Sequence, residues 1–106
     1  MLAFLLLIAA QPTNSRCQPG LRAAAAALAT ADRSAGAGAY KDGVSSIESG
    51  LRAVGNSYRL PGSLDDSGTH LVLARNFARQ GKSKQAFTLE RRILIERMRQ
   101  CALPVP

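Results

Sequence analysis

The sequence predicts an all-α domain, either a four-helix up-down bundle or two helical hairpins, behind an N-terminal export segment. Three observations predict it. Apolar residues make up 46% of the chain and are mostly Ala and Leu, which lose little conformational freedom in a helix. They recur at three- and four-residue spacing over long stretches. Between those stretches stand Gly36 and Gly38, Pro61 and Gly62, and Gly81, residues that stop helices or turn the chain. The 106 residues suffice for one domain with a small core.

Residues 2–10 form an uninterrupted apolar run, Leu2 to Ala10. At about 1.5 Å per residue the run is far too short to cross a bilayer core of roughly 30 Å. Its length matches the apolar region of a secretion signal, and Ala10 is small enough for a cleavage site. The expected organisation is therefore a signal segment at 1–10, a flexible lead-in at 11–18, a helical domain at 19–102 and a short tail at 103–106. A lipid-anchored form is not expected, because Cys17 follows Asn14, Ser15 and Arg16 rather than the apolar run.

The first helix is expected over 19–35, opened by Pro19, whose missing N–H costs nothing in a first turn. Its apolar face rests on Leu21 and Leu28. The second, over 40–57, puts Val44, Ile47, Leu51 and Val54 on one face. Gly43, Gly50 and Gly55 interrupt it, and glycine on a helix surface often marks the close approach of a neighbour. A connection of about ten residues around Pro61 and Gly62 follows, with Asp65, Asp66 and Ser67 as capping candidates. The third helix, over 69–80, is expected to bury Leu71, Leu73, Ala74, Phe77 and Ala78 and to turn Arg75 and Arg79 away. The fourth, over 83–101, carries a stripe of Ala86, Leu89, Ile93, Leu94, Met98 and Cys101. Glu90 and Arg97 fall within that stripe's arc, two turns apart, placed to reach each other or a partner.

Two stretches align in register. Gly38, Tyr40 and Gly43 sit over Gly81, Ser83 and Ala86; Leu28, Ala31 and Leu51 sit over Leu71, Ala74 and Leu94. The pattern over residues 21–98 resembles tetratricopeptide repeats, whose paired helices pack through small residues at such places. The spacing from Gly38 to Gly81 exceeds the family's repeat of about 34 residues, and Ala27 and His70 stand where the family has a large aromatic. The resemblance implies a groove for a protein or peptide rather than an enzyme.

Export gives the two cysteines a meaning. In an oxidising compartment Cys17 and Cys101 are expected to bond, closing a loop of about 84 residues worth roughly 4 kcal/mol in lost unfolded-state entropy. Such a bond favours a closed bundle, in which the start of the first helix and the end of the fourth are neighbours.

No catalytic constellation stands out. His70 is the only histidine, with only Asp65 and Asp66 near it, too few ligands for a metal. No glycine loop is built to cradle a phosphate, and no cofactor is expected. The chain has a net charge of +7, unevenly spread. Residues 67–106 carry eight basic side chains against Glu90 and Glu96, and the rest of the chain is nearly neutral. Arg75, Arg79, Lys82, Lys84, Arg91, Arg92 and Arg99 are the expected surface for an anionic partner. Export and the scarcity of aromatics argue against nucleic acid.

The expected function is a small secreted or periplasmic protein-interaction or scaffolding module. The alternatives are a basic protein on anionic envelope surfaces, in peripheral contact with lipid headgroups or polymers, and a minor hydrolase. The exported protein is expected to begin near Gln11 and to yield a peptide linking Cys17 to Cys101. Non-reducing peptide mapping of the exported protein checks both. Met1 at its terminus would overturn the first, and two unbridged thiols the second.

Overall fold

A computed structural model of the chain describes residues 18–55 and 67–102. The apolar run at 2–10, read above as a secretion signal, Cys17, the connection with Pro61, Gly62, Asp65 and Asp66, and the tail lie outside the described residues. A 3-10 turn at Gln18–Gly20 leads into α1 (Leu21–Gly36), followed by α2 (Tyr40–Val54), α3 (Ser67–Arg79) and α4 (Ser83–Ala102). The described residues contain no strand, and no helix among them is long and apolar enough to cross a membrane. The fold is all-α, as composition and spacing predict, with three boundary corrections. Pro19 lies in the leading turn, so α1 starts two residues later than expected. α2 stops at Val54 rather than residue 57, because Gly55 takes a positive φ of 68° and turns the chain out of the helix. α3 begins two residues earlier than expected.

Both helical hairpins close through the same turn. Gly38 and Gly81 have φ of 80° and 79°, a region open to glycine at little cost. The Ala39 N–H donates to the Ser34 carbonyl at 2.8 Å, and the Lys82 N–H donates to the Phe77 carbonyl at 2.9 Å. These bonds satisfy carbonyls that a helix end would otherwise leave unpaired. The sequence register between Gly38 and Gly81 is thus a repeated piece of backbone.

The hairpins meet through α2 and α4. α1 packs along α2, α3 packs along α4, and α4 lies against α2 and more lightly against α1. A Cβ on Gly43 would come within 2.9 Å of the Phe87 ring, and one on Gly50 within 2.8 Å of a Leu94 methyl. Residue 43 meets 87 and residue 50 meets 94, so α2 and α4 run parallel. On α1, Asp32 reaches Arg91, while Ala27 lies beside Gly50 at the level of Leu94. α1 and α4 therefore run antiparallel. The start of α1 and the end of α4 share one end of the bundle, where Cys101 is fully buried.

The core is Ala24 and Ala31 from α1, Ile47, Leu51 and Val54 from α2, Leu71 from α3, and Phe87, Ile93, Leu94 and Cys101 from α4. Burying each of the larger side chains stabilises the fold by roughly 1.5–3 kcal/mol. Tyr40 meets Phe87 edge-on with ring centres 5.8 Å apart. One expected core residue is corrected: Leu73 is 46% exposed. At about 100° of turn per residue it lies roughly 200° around α3 from Leu71, outside the arc that Leu71 and Ala74 bury. The same geometry puts Arg75 only about 40° from Leu71, beside the buried arc rather than opposite it.

Gly43→Ala tests the close approach. Ala is the better helix former by about 1 kcal/mol, yet here its methyl must displace the Phe87 ring and comes within 3.3 Å of the Ala31 carbonyl oxygen. A net loss of about 1–3 kcal/mol is expected. Gly36→Ala, with nothing within 4 Å of the new methyl, is expected to be neutral or stabilising. Urea denaturation of the two variants measures the contrast.

Candidate functional site

The seven expected surface cations divide into two groups. Arg75, Arg91 and Arg99 are each held by a carboxylate of the same chain. Arg75 on α3 crosses to Glu48 on α2, with Nε and Nη2 donating to Oε1 at 3.0 and 2.8 Å. Arg91 on α4 crosses to Asp32 on α1, with Nε donating to Oδ1 at 2.8 Å and Nη2 to Oδ2 at 3.0 Å. Arg99 takes Glu96 one turn back at 2.7 Å. Arg91 is therefore a tie between helices rather than part of a clear solvent face. It lies about 40° around α4 from the buried Phe87, which turns it toward α1.

These pairs set the charge states around them. The Arg91 guanidinium, donating to Asp32, holds that carboxyl below its usual range, and Arg99 with Gln100 does the same for Glu96. Both contributions to stability are present at neutral pH and fade as pH falls through the lowered values.

Arg79, Lys82, Lys84 and Arg92 form no ion pair among the described residues. All four are exposed, on the hairpin that α3 and α4 form. Between these two helices lies a groove of about 490 Å³, lined by Phe77, Lys84, Gln85, Thr88, Leu89 and Arg92. Phe77 and Leu89 are half-buried and supply an apolar floor; no acid is among the described lining residues. Lys82 places its ammonium 5.9 Å from the centre of the Phe77 ring, and Lys84 lies 5.9 Å from that of Tyr40. Ammonium groups over aromatic faces are attracted by the ring quadrupole. Periodicity alone places Phe77 and Leu89 in the core. Their half-burial follows from α3 having α4 as its main neighbour, which leaves one side of that seam open among the described residues.

A second cluster is inside the bundle. Glu90 is fully buried, at the middle of α4's inward arc, and neither carboxylate oxygen finds a hydrogen-bond donor. Its neighbour is the Glu48 carboxylate, itself an acceptor, and Arg75 lies beyond. The spacing leaves open a contact with Arg97 or with another partner; no hydrogen bond joins Glu90 to Arg97, which is itself buried two turns on. Burial, and then the adjacent Glu48 carboxylate, push the Glu90 carboxyl up to about 8, with Arg75 opposing them. Both effects favour the neutral form of Glu90, whose O–H would face a carboxylate able to accept it. Among the described residues no three His, Cys, Asp or Glu side chains come together as a metal site, and His70 is exposed on α3.

The two interhelical ion pairs are partly solvated and bidentate, so each is expected to give a coupling of about 0.5–1 kcal/mol after screening. Double-mutant cycles with Glu48→Gln and Arg75→Gln, and with Asp32→Asn and Arg91→Gln, measure it by urea denaturation. Coupling of Arg99 with Glu96, within one exposed turn, is expected to be the smallest of the three.

No family model, curated protein sequence or solved structure matches this chain.

Proposed function

We propose that the chain is a small exported interaction module that docks an acidic, partly apolar segment of another protein in the α3–α4 groove. The observation that carries this reading is the groove itself. An apolar floor of Phe77 and Leu89 is edged by Lys84 and Arg92, which have no carboxylate partner among the described residues. Arg79 and Lys82 add charge near the turn of the same hairpin. Apolar contact gives such a site affinity, and unpaired charge gives it selectivity and a fast on-rate. Arg75, Arg91 and Arg99 have their charge balanced internally, so four of the seven cations form the docking surface. The kinship with tetratricopeptide hairpins belongs to this reading, since paired helices of that kind present peptide grooves. A Cys17–Cys101 bond belongs to it too. It would clasp the end of the bundle remote from the α3–α4 turn and leave the groove open.

The test is direct binding of a fluorescein-labelled peptide alternating Glu with Leu and Phe, followed by anisotropy. Saturable binding that weakens as salt rises is expected. Lys84→Glu with Arg92→Glu should weaken it by about tenfold or more, and Leu89→Ser should also weaken it, while Arg99→Gln leaves it nearly unchanged. Absence of peptide binding would sink the reading. Binding to vesicles of anionic phospholipid without peptide binding would favour the envelope-surface alternative in its place.

A further inference from the structure

We propose that Glu48, Arg75 and Glu90 form a proton-held latch, in which one proton shared between the two carboxylates keeps α3 closed on the α2–α4 seam. Three helices contribute one side chain each, and the three come together as one cluster. α3 has the weakest hold on the bundle. It buries Leu71 and Ala74, exposes Val72 and Leu73, and packs on α4. Among the described residues its one ion pair to another helix is Arg75 with Glu48.

The chemistry of the closed state balances. Neutral Glu90 donates its O–H to the Glu48 carboxylate, and Glu48 accepts Arg75 Nε and Nη2 through its remaining lone pairs. One negative and one positive charge then face each other, and the buried carboxyl has a partner. Loss of the proton leaves two carboxylates beside one guanidinium. Glu90 is then an ion with no donor of its own, in a place where an unpaired charge is costly. The relief available is water, and the least-held wall is α3.

The charged groups that act on Glu90 come from α2 and α3. Glu48 faces it from α2 and Arg75 from α3. On α1 Asp32 is engaged by Arg91, and on α4 itself Arg97 lies two turns away. Counting back by the separation of Gly38 from Gly81, the position matching Glu90 is Ile47, also fully buried. An apolar side chain therefore serves in the matching place of the first hairpin. The elevation of the Glu90 carboxyl to about 8 puts the transition near neutrality. The unfolded chain releases this proton near the ordinary glutamate value. Stability therefore falls as pH rises between about 4.5 and about 8 and levels off above. Phe77 rides on α3, so opening the latch would also dismantle one wall of the groove; that consequence rests on the docking reading, whereas the latch does not.

The test uses the full chain. Carbon-13 NMR of the side-chain carboxyls should show Glu90 titrating near pH 8. Hydrogen exchange, corrected for its intrinsic base dependence, is read over the range from about pH 4.5 to about pH 8. Over that range the α3 amides should lose protection by about tenfold or more, through an opening that costs less than global unfolding. Glu90→Gln, which keeps size and polarity but cannot ionise, should abolish the difference, as should Glu90→Ile, the side chain at the matching place. Titration of Glu90 near its ordinary value would overturn the proposal. So would α3 amides that exchange only through global unfolding, or an unchanged pH-dependent loss in Glu90→Gln.

Discussion

α2 touches α1 and α4 at once because it has no side chain at Gly43 or Gly50, and the rest of the arrangement depends on that approach. The two glycines stand two turns apart on one face of the helix. Each weakens α2 by up to about 1 kcal/mol relative to Ala. The Phe87 ring and the Leu94 methyls occupy the space this frees, and their burial offsets the loss. With α2 and α4 in direct contact, Glu48 comes beside Glu90 and Asp32 comes within reach of Arg91. A bulkier residue at either glycine would push α4 outward and draw both ion pairs apart.

The bundle has an approximate two-fold relation between its hairpins, visible in its charges. At the separation of Gly38 from Gly81, Asp32 corresponds to Arg75, and Glu48 to Arg91. The pairs formed are Asp32 with Arg91 and Glu48 with Arg75. Each tie joins the outer helix of one hairpin to the inner helix of the other, and the first hairpin supplies both acids. Two copies of one hairpin, each bearing like charge at both places, would repel there; opposite signs make the two seams attractive. The pairing of unlike hairpins is thereby written into the electrostatics.

The turns are legible in the sequence, since Gly38 and Gly81 interrupt helical runs and a left-handed residue closes such a turn well. The inward stripe of α4 is legible down to the anomaly of Glu90 and Arg97, because a single helix fixes which side chains share its face. What one helix cannot show is which neighbour meets that face. Spacing along α4 leaves Glu90 to meet Arg97 or some other partner, and the neighbour it has is Glu48 on α2. Arg91 reads as a surface residue for the same reason, with Asp32 59 positions away in sequence. The groove is hidden too, because periodicity marks Phe77 and Leu89 as apolar without showing that no further helix among the described residues closes over them. Leu73 fails differently. Its hydrophobicity points to the core, although its angle around α3 takes it away from Leu71.

Buried ionisable groups are confined to the second hairpin among the described residues, and that asymmetry has a physical consequence beyond the core. Where the first hairpin buries Ile47 and Val54, the second buries Glu90 and Arg97. For packing alone an apolar residue of similar volume serves as well as a buried charged group, and often better. The acid therefore alters something other than packing, and the field is one such quantity. With Glu90 neutral, residues 67–106 carry eight basic side chains against Glu96 alone. A proton on Glu90 would thus remove a charge from the core and at the same time raise the net positive charge of the hairpin that carries Lys84 and Arg92.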